Sequence, residues 1–143
     1  MEKTIRALKV MQRMERLATN VYKQQIRGFK GETADTLRKA FENEKEHAGT
    51  LAEKLKQLHS APQAIGFLFS TAGGIAGLFT LVIGKSNLFS IDTYIEKKAV
   101  EDYNKFVTNV EFDRETAILL NRIIEDEKRH IDNWTSAKAA LKK

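Results

Sequence analysis

The chain has 143 residues, 30% of them charged, with one proline and no cysteine. That length allows one domain with a real core but not two, and the composition favours helices over an all-β fold. It offers no disulfide framework and no thiolate metal site, and a net charge of +5 spread along the chain forms no basic stripe, so no nucleic-acid partner is expected.

The first helix is predicted over about residues 3–27, where Ile5, Leu8, Met11, Ala18, Tyr22 and Ile26 share one stripe. Glu15 sits in that stripe, where an apolar residue belongs. The same stretch carries charges throughout and lacks the uncharged core of a secretory signal, which predicts a cytoplasmic protein. Gly28 and Gly31 read as its stop, with Thr33 as the N-cap of the second helix. That second helix, about 34–58, aligns Leu37, Phe41, Ala48, Leu51, Leu55 and Leu58. Glu44 and His47 fall inside that stripe, while Glu42 and Glu46 lie off it. His59, just before Ser60-Ala61-Pro62, reads as closing the helix.

An uncharged, glycine-bearing run comes next, IGFLFSTAGGIAGLFTLVIG. Residues 64–83 are apolar enough to span a bilayer on length alone. A single span, however, would place the chain before it and the chain after it on opposite sides of the membrane. Glu15, Glu44 and His47 could then never meet their counterparts downstream. A crossover, about 61–89, that returns beside a helical bundle removes the conflict, since twenty-two helical residues cover about 33 Å. Its surplus hydrophobicity implies a second apolar contact: a membrane surface, a dimer partner or an apolar ligand.

The third helix, about 90–110, aligns Phe89, Ala99, Tyr103, Phe106 and Val110, with Glu96 among them. Glu101 is the alternative to Glu96 but is rotated off the Tyr103 face. The fourth, about 114–141, aligns Ala117, Leu120, Ile124, Ile131, Trp134 and Leu141, with Glu127 and His130 among them. Asp113 or the nearby Glu115-Thr116 pair opens it. Tyr22, Tyr103 and Trp134 read as core, with the tyrosines two turns from their glutamates and open to a role around them.

The two halves repeat each other. ENEKEH at 42–47 returns as EDEKRH at 125–130, and ETA at 32–34 returns at 115–117. Glu15 precedes Ala18 and Tyr22 by the same spacings that separate Glu96 from Ala99 and Tyr103. From the first glutamate to E-x-x-H is 29 residues in one half and 31 in the other. This is a helical hairpin written twice, which predicts a single all-α domain over 1–143, a four-helix bundle of two hairpins joined by the crossover.

Four carboxylates and two imidazoles thus occupy faces that otherwise call for leucine. Burying an unpaired carboxylate costs several kcal/mol or forces it to take a proton, so something must compensate the group. In E-x-x-H, residues three apart share one helix face and approach one point. One glutamate from each of two helices, with E-x-x-H from each of the other two, is the dinuclear carboxylate pattern of helical bundles. Four carboxylates balance two divalent cations, and each cation gains one neutral nitrogen. The expected metal set is therefore Glu15, Glu44, His47, Glu96, Glu127 and His130. Glu44 and Glu127 bridge or chelate and carry the catalytic role, and Glu15 and Glu96 cap one metal each. Ligation without sulfur suits two iron ions, with manganese the alternative.

On these residues the chain resembles the ferritin-like superfamily and, within it, the demethoxyubiquinone hydroxylase (Coq7-type) family. The resemblance covers most of the chain: Glu15 with Ala18 and Tyr22, Glu44/His47, the glycine-rich apolar run, Glu96 with Tyr103, and Glu127/His130. It implies two irons on the six matching residues, O2 activation there, and hydroxylation of a quinone-like apolar substrate near the inner face of a membrane. It also implies an external electron donor, and a homodimer is compatible with it. The chain departs from the family at Met11-Gln12-Arg13-Met14, where D-H-x-G is usual, and at Glu101-Asp102, where a histidine pair is usual. Rubrerythrins are a second relative, without their C-x-x-C pairs here. A peroxide-reducing or iron-oxidising protein, and a metal-stabilised interaction module without enzymatic activity, are the alternative functions.

Overall fold

The structure, a computed structural model, describes residues 1–62 and 83–141. Four helices carry them: α1 (Glu2–Gln25), α2 (Glu32–Gln57), α3 (Lys85–Asn109) and α4 (Arg114–Ala140), with a single 3-10 turn at Ile26–Gly28 closing α1. No strand occurs among the described residues. The architecture is an all-α four-helix bundle.

The helix ends follow local chemistry. Gly31 (φ 62°, ψ −147°) and Gly84 (φ 81°, ψ 157°) stand immediately before α2 and α3, in backbone regions that residues with a Cβ rarely enter. Gly31, and not Thr33, is therefore the N-cap of α2, and Glu32 and Asp35 place negative charge in its first turn. α4 opens on Asp113, whose carboxylate accepts from the Thr116 backbone N–H at 2.9 Å and from its hydroxyl at 2.7 Å. His59 closes α2 in the left-handed conformation (φ 53°). Its N–H donates to the Lys56 carbonyl and that of Ser60 to the Leu55 carbonyl, both at 2.9 Å, the paired bonds that satisfy a helix C-terminus.

α3 begins at Lys85, inside the stretch assigned to the crossover from sequence. Leu88 and Phe89 are buried helical residues of the bundle core, so the third helix begins earlier than residue 90. The remainder of the proposed crossover, residues 63–82, lies outside the described residues, and with it most of the apolar 64–83 run. Among the described residues no helix is long and apolar enough to cross a membrane.

α1 packs mainly on α2 and α3 mainly on α4, which makes the two hairpins; between hairpins α2 touches α4, and α1 touches α3 at few points. Two apolar clusters fill the ends. One joins Leu8 and Met11 of α1, Leu51 and Leu55 of α2, Tyr103 of α3, and Leu120, Ile123 and Ile124 of α4. The other joins Tyr22, Leu37, Ala40, Leu88, Phe89 and Trp134, where Trp134 stacks on Tyr22 and Phe89 at ring-centre distances of 5.7 and 5.9 Å. These memberships fix the directions: α1 and α4 run one way, α2 and α3 the other. The chain leaves α2 at one end of the bundle and enters α3 at the opposite end. Each fully buried leucine contributes roughly 1.5–3 kcal/mol through removal from water.

Candidate metal centre

Between the two clusters the stripes switch from apolar to ionisable. On α1 the order inward from one end is Met11, Glu15, Tyr22; on α2 it is Leu51, His47, Glu44, Leu37. On α3 it is Tyr103, Glu96, Phe89, and on α4 Ile124, Glu127, His130, Trp134. Helical periodicity that brings the apolar residues inward brings these groups inward as well. All six expected residues are buried, with exposures from 0% for Glu44 to 7% for His130. Glu101 is exposed and pairs with Lys98 and Lys105, so the alternative to Glu96 stands outside the cluster.

Ligand-capable atoms of Glu15, Glu44, His47 and Glu127 lie within 4.8 Å of one another, and so do those of Glu44, Glu96, Glu127 and His130. Glu44 and Glu127 belong to both groups; the two groups are therefore adjacent positions with two carboxylates in common. His47 turns Nδ1 toward Glu127 at 3.1 Å and Glu15 at 3.7 Å. His130 turns Nδ1 toward Glu44 at 3.0 Å and Glu96 at 3.6 Å.

These approaches are close without being hydrogen-bonded. Both oxygens of Glu44, both of Glu127, and Nδ1 of both histidines are buried without a hydrogen-bond partner. Six orphaned polar atoms in one spot would be costly if they served packing alone, because each forfeits its hydration. They share one need, a positive charge that all can face. Four carboxylates and two imidazoles meet that description for two divalent cations of iron or manganese type, so the residues present fit such a pair.

The protonation balance points the same way. Burial raises the Glu44 carboxyl well above its usual range, and the nearby Glu127, Glu15 and Glu96 add to it. Burial also lifts Glu96 to about 7, with His130 pulling it down and Glu127 pushing it up. Burial would lower the imidazoles, but Glu127 and Glu15 carry His47 up to about 9, and Glu127 and Glu96 do the same for His130. Glu127 is held below its usual value: burial opposes ionisation, and His130 and His47 outweigh it. Without cations, protons would supply the compensating charge.

A ring of contacts holds these groups in place. The Tyr22 hydroxyl donates to Glu96, and the Tyr103 hydroxyl donates to Glu15. Each tyrosine serves the glutamate of the opposite half, so the repeated Glu–Tyr spacing ties the hairpins together. His47 Nε2 lies 3.0 Å from Asp126 Oδ2, and Arg129 donates to the other oxygen of Asp126. Beyond Tyr22, Gln25 Nε2 donates to Asp92 at 2.8 Å with both side chains fully enclosed. Burial lifts Asp92 to about 7, against the pull of Gln25 and with some help from Glu96.

Sequence reasoning missed Asp126, Gln25 and Asp92. Asp126 had a visible signal, since it falls on the inward face three residues after Ile123 and four before His130. Gln25 and Asp92 had none, because the two partners are 67 residues apart.

One cavity reaches the carboxylates directly. It measures about 450 Å³ and opens where α1 and α3 stand apart; Met14, Leu17, Ala18, Val21, Ile95 and Ala99 line its walls. Glu15, Glu44, Glu96 and Glu127 form its inner end, and Tyr94, Lys98 and Asp102 also line it. Tyr94 is 69% exposed, and Lys98 holds Asp102 at 2.7 Å.

The model of the family described as ubiquinone biosynthesis protein COQ7 matches residues 2–142. No curated protein matches the chain. A match over nearly the whole length places this chain in that family, whose members are ferritin-like diiron proteins, and the buried glutamate–histidine group is of the kind that holds such ions.

Proposed function

We propose, from membership of the COQ7 family, that this chain is an O2-dependent hydroxylase of a quinone-like apolar ring, with Glu15, Glu44, His47, Glu96, Glu127 and His130 as the ligands of its two irons. The observation that carries the reading is the apolar cavity whose inner end is the carboxylate cluster. Its volume of about 450 Å³ falls in the range of small-molecule sites. Iron bound by the six residues would supply O2 activation and relay the electrons of the reaction. In a hydroxylation one oxygen atom of O2 enters a ring C–H bond and the other leaves as water, with two electrons drawn from an external donor and two protons from solvent.

The chain's own residues have distinct tasks in this reading. Glu44 and Glu127, common to both positions, hold the pair together. Tyr22 and Tyr103 fix Glu96 and Glu15 by hydrogen bonds from the opposite hairpin. Met14, Leu17, Val21 and Ile95 exclude water and present a flat substrate ring to the inner end of the cavity. Asp102 occupies a position of the family's usual histidine pair and lines the same cavity, so proton delivery at this place uses a carboxylate.

The test is single-turnover kinetics of the diferrous protein with O2, with hydrogen peroxide, and with O2 plus a short-chain quinone precursor. The reading expects the precursor to accelerate oxidation and to leave as a hydroxylated product. Faster oxidation by peroxide than by O2, with no effect of the precursor, would assign the protein to peroxide scavenging instead.

A further inference from the structure

The repeat that builds the centre is imperfect at one inward position. In EDEKRH the residue before the glutamate is Asp126, and in ENEKEH it is Asn43. Asp126 is 4% exposed and sits 3.0 Å from Nε2 of His47, on the far side of the ring from Glu127 and Glu15. Arg129 holds Asp126 in turn. In register with Arg129 the other motif has Glu46, which is exposed and pairs with Arg122. Among the described residues, both the carboxylate and its arginine support are therefore present for His47 alone.

His130 faces carboxylates through Nδ1 only among the described residues. It also borders a polar cavity of about 450 Å³ between α2 and α4, which Asn43, Arg129 and Asp132 line with it. One imidazole is thus enclosed and backed by a buried anion, and the other borders a polar opening with a neutral amide at the equivalent place. An anion accepting the Nε2 proton fixes the tautomer that leaves Nδ1 free to ligate, orients the ring and raises its basicity.

We infer that the two metal positions are unequal: the one served by Glu15, Glu44, Glu127 and His47 binds its cation first and more tightly, with Asp126 as the positioning residue that makes the difference. The inference rests on the ligand assignment proposed above and deepens it. It concerns affinity and is independent of what the loaded protein oxidises.

The experiment is anaerobic titration of metal-free protein with Co²⁺, followed by its visible absorption and by the shifted ring N–H signals of the bound histidines in proton NMR. The first cation is expected to bind at least about tenfold more tightly than the second, and the first shifted ring N–H signal to belong to His47. Asp126→Asn should weaken the first step by about ten- to a hundredfold and bring the two steps together. Asn43→Asp should tighten the second step, a gain that a folding defect cannot mimic. Equal steps in the unaltered protein, or a first step unmoved by Asp126→Asn, overturn the inference while leaving two-cation uptake and the ligand assignment intact. Absence of any Co²⁺ uptake overturns the ligand assignment itself.

Discussion

The middle of the bundle and its two ends are built on the same helical stripes but are held together differently. At the ends, leucine, isoleucine and aromatic side chains fill space, and their contribution comes from leaving water. In the middle, six ionisable groups stand where that filling should continue, and six of their polar atoms lack hydrogen bonds. The ends are filled by apolar packing, with Trp134 Nε1 the buried polar atom of their clusters that lacks a hydrogen-bond partner among the described residues. The middle needs charge from elsewhere, and its stability therefore depends on solution conditions in a way that the ends' does not.

The strongest way to break this comparison is to remove both nitrogen donors. His47→Ala with His130→Ala should abolish uptake of two Fe²⁺ per chain in anaerobic titration, whereas the unaltered protein should take up two; unchanged stoichiometry would end the ligand assignment. Stripping the cations from the unaltered protein should lower its melting temperature, because binding to the folded state is itself stabilisation.

Next in size are truncations at the ends. Leu51→Ala or Leu120→Ala, both 0% exposed, should each cost about 2–5 kcal/mol in denaturant unfolding. The contrast is sharpest if that loss is the same with and without bound cations. A loss that appears only in the loaded protein would mean that the clusters and the centre are not separable.

A pH series on metal-free protein probes the middle and the Gln25–Asp92 pair beside it. His47 and His130 rise from 6.5 to about 9 in the folded chain, so their contribution is complete below pH 6.5 and is lost as pH climbs through 9. Glu96 and Asp92, lifted to about 7, act in the same direction at lower pH. The metal-free melting temperature should accordingly be higher at pH 6 than at pH 9. Metal affinity should run oppositely, rising with pH, because both imidazoles must release a proton before they ligate. Greater metal-free stability at pH 9 would contradict the proton balance described for the cluster.

The smallest effect is expected at a helix end. His59→Gly relieves a left-handed residue that carries a Cβ and should stabilise the chain by about 1 kcal/mol without altering metal stoichiometry. A destabilised variant would show that the imidazole supports the end of α2 by more than its backbone conformation.

Most of the architecture was legible because it rests on periodicity. Four stripes at helical spacing, interrupted once or twice each by Glu or His, implied four helices and an inward polar layer, and Glu15, Glu44, His47, Glu96, Glu127 and His130 do converge. Repetition of the motif at 42–47 and 125–130 implied two matching hairpins. Helix starts were less legible. Thr33 has the side chain of an N-cap, yet Gly31 takes the position, at a positive φ that glycine enters readily. Phe89 already fell on the stripe of the third helix, but Leu88 looked like the end of the apolar run, and only its burial in the cluster with Trp134 and Tyr22 assigns it to α3.

Periodicity reports which face of its own helix a residue occupies, and nothing in it reports which residue of another helix stands opposite. The spacing of Glu15 from Tyr22 and of Glu96 from Tyr103 was plain, but that each tyrosine bonds the other half's glutamate depends on how the hairpins are set against each other. The same holds for Asp126 on His47, 79 residues apart, and for the gap between α1 and α3 that opens the cavity onto the carboxylates. Local helical order fixes a side chain's direction within a turn or two; contacts across the bundle arise only when four such faces pack at once, and so tertiary structure alone decided them.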